Sequence, residues 1–169
     1  MSKTTIIFLA LMGLFSANFS CAKPGIGESF QDWTEYCELL ENKQESCHIY
    51  QTLTLKGDKT PILSLRVQHI PGKKEPVLFI TLQLGVLLSY QPVMELDKQP
   101  LKMQFQFCET DGCSAAKVLT EPMLQVMKRS EKFIIKFVNM DRKLIAIPVS
   151  LKGFSKGLAK IGKQPKGKG

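Results

Sequence analysis

The sequence predicts an all-β domain, a sandwich or barrel, with one or two short helices, one of them at the C-terminus. Three observations lead there. Apolar and polar residues alternate with period two in several segments, among them residues 63–67 and 101–107. That is the pattern of strands with one buried and one wet face. Turn-forming residues separate these segments at roughly even spacing, as they do in sandwiches and barrels. Finally, 44% apolar residues in a chain of 169 is enough for one hydrophobic core, at ~100–200 residues per domain. This excludes a disordered chain, a collagen and a miniprotein held by disulfides alone.

The first segment, residues 1–22, lies outside that domain. Lys3 precedes a continuous apolar run, residues 6–15, and Ser20-Cys21-Ala22 supplies a small-x-small exit. Together these form a secretory signal peptide, with Lys23 as the new N-terminus. The run is shorter than the ~20 residues that span a bilayer, so the protein is expected to be exported rather than anchored. Cys21 has a second reading, as a lipid-bearing cysteine. Of the three residues before it only Ser20, not Asn18 or Phe19, suits that signal, so Cys21 is expected to leave with the leader.

The strands follow in order. Residues 48–55, 63–67, Val77–Leu82, Val93–Leu96, 101–107, 133–138 and 144–149 are alternating or rich in β-branched and aromatic residues. In the fifth, Leu101, Met103, Phe105 and Phe107 form the inward row of a single strand. Pro148 in the last suits a strand end or sheet edge. Lys56-Gly57-Asp58, Pro71-Gly72, Gly85, Asp97 and Asn139-Met140-Asp141 provide the turns.

Without Cys21, four cysteines remain: Cys37, Cys47, Cys108 and Cys113. An even number in an exported chain argues for two disulfides, with three connectivities open. Loop closure favours the local pairs, Cys37–Cys47 and Cys108–Cys113, and Asp111-Gly112 is a bend that would bring the second pair together. A redox pair usually has Cys-x-x-Cys spacing at a helix N-terminus, which is not the pattern around Cys108. His48 and His69 lie far apart, with no closely spaced Cys pair to complete a zinc site. No cofactor or metal is therefore expected, and no catalytic residue is assigned.

Two segments read as helices. Residues 122–128 open on Pro122 after Thr120-Glu121. Residues 151–161 place Phe154, Leu158 and Ile161 on one face, with Lys152, Lys156 and Lys160 roughly opposite. Gly153 and Gly157 weaken this helix by about 1 kcal/mol each relative to Ala, and Gly162 is its C-cap candidate. The apolar stripe is expected to dock on the sandwich. The remaining residues, 163–169, form a polar basic tail expected to be disordered. Lys152, Lys156, Lys160, Lys163, Lys166 and Lys168 are candidates for contact with an anionic surface, since no acid falls among the last 18 residues.

Several of these residues carry a resemblance. Phe30-Gln31-Asp32-Trp33 followed by Cys37, Cys47 and Gln51 resembles the opening signature of the invasion-associated locus B (IalB) family of exported bacterial proteins. Leu84-Gly85-Val86-Leu87-Leu88 is similar to its central element. Cys108-x4-Cys113-x-Ala115, with Gly112 in place, resembles its second cysteine element, and residues 147–154 its closing strand and helix. Gln91 departs from the family, which often has Gly there. The resemblance runs from Gly25 to Ile161 and implies an immunoglobulin-like β-sandwich over residues 23–162. It also implies an envelope or secreted location and, by family name, a part in host-cell invasion. It supplies no catalytic residues. Asp32 and Trp33 are its best-marked positions besides the cysteines, expected as a buried Trp beside a hydrogen-bonded carboxylate.

These readings converge on an exported, non-enzymatic protein of the periplasm, envelope or cell surface, one that supports host-cell interaction by binding an acidic partner. The net charge of +8 favours acidic envelope or host-surface molecules and peripheral membrane contact. Nucleic acid is not expected, since basic and aromatic residues do not interleave. The alternative is a periplasmic hydrolase or a redox-active envelope enzyme. Against it, Gly-x-Ser-x-Gly, His-Glu-x-x-His and a phosphate-cradling glycine loop are all missing from the sequence.

Overall fold

The computed structural model describes residues 25–162, apart from 42, 56 and 58. Eleven strands and two helices follow one another: β1 (Gly25–Phe30), β2 (Trp33–Leu39), β3 (Glu45–Thr54), β4 (Pro61–Gln68), β5 (Val77–Leu82), β6 (Val93–Leu96), β7 (Gln99–Lys102), β8 (Gln104–Glu109), β9 (Gly112–Val118), α1 (Glu121–Arg129), β10 (Lys132–Val138), β11 (Leu144–Ser150) and α2 (Phe154–Ile161). They build a β-sandwich of two antiparallel sheets. The larger has the order β1-β2-β3-β4-β5-β9-β8, the smaller β11-β10-β6-β7. One apolar core lies between them. Ile49, Leu63, Leu65, Val67, Leu78 and Ile80 come from the large sheet, Met94, Phe133, Ile135 and Val149 from the small one. The row of Leu63, Leu65 and Val67 points inward as a period of two requires, with alternate side chains to opposite faces.

Three strands lie where the alternation is weak. In β2 the inward positions are Trp33, Glu35 and Cys37, all buried, so a carboxylate interrupts the apolar row. β9 is a run of small residues (GCSAAKV), and β1 is a largely exposed edge. The segment 101–107 is not one strand. It breaks at Met103 into β7 of the small sheet and β8 of the large one. Met103 is fully buried at the crossing and donates its main-chain N–H to Pro92 O at 2.8 Å. A register shift between Phe105 and Phe107, the two-against-one pairing of a bulge, then turns Phe107 outward. It is 57% exposed rather than in the inward row. Gln91 lies at the same crossing, and its Oε1 accepts the Phe105 N–H at 3.0 Å.

The C-terminal helix is shorter than its sequence pattern. Residues 151–153 form a turn with Gly153 in the left-handed region, and α2 starts at Phe154. Phe154, Leu158 and Ile161 are buried and cover the inner side of β1, β2 and β3. Gly157 lets the helix come this close. A Cβ there would lie 3.0 Å from the Ile49 side chain and 3.2 Å from that of Phe30. Trp33 and Phe154 meet edge to face, ring centroids 5.3 Å apart, and the Trp33 indole N–H donates to Ser150 O at 3.0 Å. Asp32, in contrast, is exposed. It bonds through its main chain, accepting from Gln51 Nε2 at 2.8 Å and donating to Lys152 O at 3.4 Å. Among the described residues no helix is long and apolar enough to cross a membrane.

Candidate functional site

Both disulfides are the local pairs. Cys37 joins Cys47 and Cys108 joins Cys113, with Cα atoms 4.1 and 4.0 Å apart. In each case the two cysteines stand directly opposite in neighbouring strands, β2 with β3 and β8 with β9. The bonds therefore clamp two strand pairs of the large sheet. Buried Glu35 lies beside Cys37 and Cys47, close enough for the three to hold a metal ion in principle. The sulfurs are bonded to each other, however, which leaves one carboxylate as a ligand, too few for a zinc site. That carboxylate accepts the Glu28 main-chain N–H at 3.5 Å.

The C-terminal lysines divide into three groups. Lys156 and Lys160 project from α2 and are exposed. Lys152 is exposed too, but it stands in the turn before the helix, with its N–H donated to Ser150 Oγ at 3.2 Å. Lys163, Lys166 and Lys168 lie outside the described residues. Lys160 approaches Glu28 at 3.5 Å, both side chains at least half exposed, an ion pair that water largely screens. Because the stripe of α2 is packed in the core, Lys156 and Lys160 are held on a fixed outward face.

The outer face of the large sheet carries a row of rings that the motifs do not mark. Tyr36 and His48 are cross-strand partners, with ring centroids 5.3 Å apart, and Tyr50 lies 6.2 Å further along. The Arg66 guanidinium sits 5.2 Å from the centre of the Phe79 ring. Such cross-strand pairs stabilise a sheet by ~0.2–1 kcal/mol each, which accounts for the row without a ligand. Burial holds the His48 imidazole below its usual pKa of 6.5; Arg66 adds to this, and Glu38 partly offsets it. A histidine depressed in the folded state contributes stability that is complete above the unfolded value of 6.5. This is lost as pH falls through 6.5 toward the folded pKa, because the unfolded chain then binds the extra proton. His48→Gln should therefore flatten the drop in melting temperature just below pH 6.5. An unchanged slope would assign that proton to another group.

One end of the sandwich is apolar. Residues 84–91 form a loop against the turn between β10 and β11. Val86 bridges Asn139, Leu87 N–H donates to Val138 O at 2.8 Å, and Met140 N–H donates to Gly85 O at 2.8 Å. Beside it, a groove of about 510 Å³ runs over the outer face of the small sheet, lined by Tyr90, Val93, Pro100, Lys102, Val138 and Leu144. An ion pair between Lys136 and Glu95, 2.6 Å long, lies in it. In sequence, residues 139–141 and Gly85 read as turns and residues 84–88 as one element of the family resemblance, and neither reading pairs the two loops; the signal on offer was their large apolar residues, Leu84, Leu88, Tyr90 and Met140.

A family model described as "Invasion associated locus B (IalB) protein" matches residues 33–162. None of the curated proteins matches the chain. Among solved structures, the crystal structure of invasion associated protein B from Bartonella henselae aligns with a TM-score of 0.68 at 15% identity. The alignment covers 79% of this chain and 92% of that one, a likeness of fold.

Proposed function

The chain belongs to the invasion associated locus B family, and from that premise we propose that it is an exported envelope protein that binds an acidic partner and catalyses no reaction. The family and the two disulfides support export, since such bonds persist outside the reducing cytosol. The observation that carries the binding reading is the arrangement of α2. Its apolar stripe is buried, so Lys156 and Lys160 face outward from a rigid support, next to Lys152 and ahead of Lys163, Lys166 and Lys168. Acidic polymers of the envelope or of a host-cell surface are the partners this charge favours. The solved relative's name, invasion associated protein B, fits a role at that contact.

Deleting residues 163–169 tests the reading. It removes three of the six lysines in the last 18 residues and leaves the docked stripe in place, so the melting temperature should stay within about 1 °C. Affinity for lipopolysaccharide or a sulfated glycan should fall by up to about a hundredfold and lose much of its salt dependence, at about 1 kcal/mol per lysine near the surface. Unchanged binding at low salt would reduce these lysines to a solubilising role.

A further inference from the structure

Exposed apolar side chains are scattered singly over most protein surfaces, but here they gather. Leu84, Leu88 and Tyr90 on one loop and Met140 and Leu144 on the facing turn are all more than half exposed, at 54, 51, 57, 71 and 67%. The main-chain bonds between the two loops hold these five as one unit. Cations stand among them. Arg142 and Lys143 are exposed in the same turn, and Lys102 lines the groove with Tyr90 and Leu144. The one acid in the turn, Asp141, takes a hydrogen bond from the Asn139 side chain at 3.4 Å.

We propose that this end of the sandwich docks on an anionic lipid bilayer, with Leu84, Leu88, Tyr90, Met140 and Leu144 entering the interfacial layer and Lys102, Arg142 and Lys143 meeting lipid phosphates. A bilayer interface offers what these side chains lack on the free protein, an apolar layer directly beneath a layer of negative charge. Tyrosine, with an apolar ring and a polar tip, suits that depth. A second copy of the chain is the poorer occupant, because a two-fold contact would set Arg142 and Lys143 against the same cations. The surface is distinct from the basic α2 end. Leu144 opens β11, whereas α2 follows its last residue, Ser150, so a strand of seven residues separates the two contacts. The inference goes beyond the acidic-partner reading and does not depend on the tail lysines.

Vesicles of phosphatidylcholine with phosphatidylglycerol are the probe, and cosedimentation the measurement. The double variant Met140→Asp/Leu144→Asp changes two side chains that are already exposed and should melt like the wild type. Its partitioning should fall at least about tenfold, as expected from losing two apolar side chains from the interface and adding two acids. That loss should persist at high salt, where the tail deletion no longer differs from the wild type. A Met140→Trp protein adds a depth probe: its added emission should be quenched by brominated lipid, while the buried Trp33 is not. Wild-type protein that fails to bind the vesicles, a folded double variant that binds as well as the wild type, or an unquenched Trp at position 140 would each overturn the proposal. So would a concentration-dependent dimer abolished by the double variant, which would make the patch a contact between copies.

Discussion

Phe154→Ala is expected to lower the unfolding free energy by about 3–5 kcal/mol, the range for truncating a fully buried aromatic side chain. Phe154 is 0% exposed and packs edge to face with Trp33, ring centroids 5.3 Å apart. The substitution would therefore remove both the buried area and an aromatic contact from the seam where α2 closes over β1, β2 and β3. Urea denaturation measures the loss, and near-ultraviolet circular dichroism should show the Trp33 signal weakening with it. The same variant bears on function. With its anchor gone, α2 no longer presents Lys156 and Lys160 from a fixed support, so acidic-polymer binding should weaken even though no charge has changed. A stability change below about 1 kcal/mol would mean that the helix is not docked through this stripe.

Gly153→Ala is the second substitution with a large expected effect, although it adds only one methyl group. Gly153 has φ of 85°, where an L-residue is strained, and a Cβ built there lies 1.6 Å from the Phe30 carbonyl oxygen. The obstacle is main chain, so a rotamer change does not relieve it; either α2 or the β1–β2 turn must move. Left-handed strain of ~1–2 kcal/mol, with the displaced stripe added, gives a loss of roughly 2–4 kcal/mol. Gly162→Ala is the control. Its φ is −74°, and the nearest atom to an added Cβ is Leu158 O at 3.3 Å. Denaturation midpoints should separate the two variants clearly. If Gly153→Ala unfolds like Gly162→Ala, the close approach to Phe30 is not made.

These two residues also show how far the sequence could be read. The stripe of Phe154, Leu158 and Ile161 was legible because its spacing matches one face of a helix, and it is buried as that spacing requires. Gly153 and Gly157 counted there only as helix weakeners. In the fold both mark close approaches, to Phe30 and Ile49, and a close approach depends on what arrives from elsewhere in the chain. The local disulfides were legible for the complementary reason: each closes a hairpin between strands adjacent in sequence.

By itself the sequence determined the class of fold, the inward row of Leu63, Leu65 and Val67 and the docked face of the last helix, and it favoured both local disulfide pairs. All of these follow from periodicity and short-range chain closure. Only the tertiary structure decided which sheet a strand joins, as at Met103, where an unbroken alternation crosses from the small sheet to the large one. A period of two fixes which side chains turn inward and carries no information on the neighbouring strand. Tertiary structure also decided that Glu35 and Gln51 face inward, with Gln51 bonded to the main chain of Asp32. It likewise brought residues 84–91 against 139–144. That apolar end is joined across some fifty positions by main-chain hydrogen bonds, which any side chain can accompany, so side-chain pattern alone does not record it.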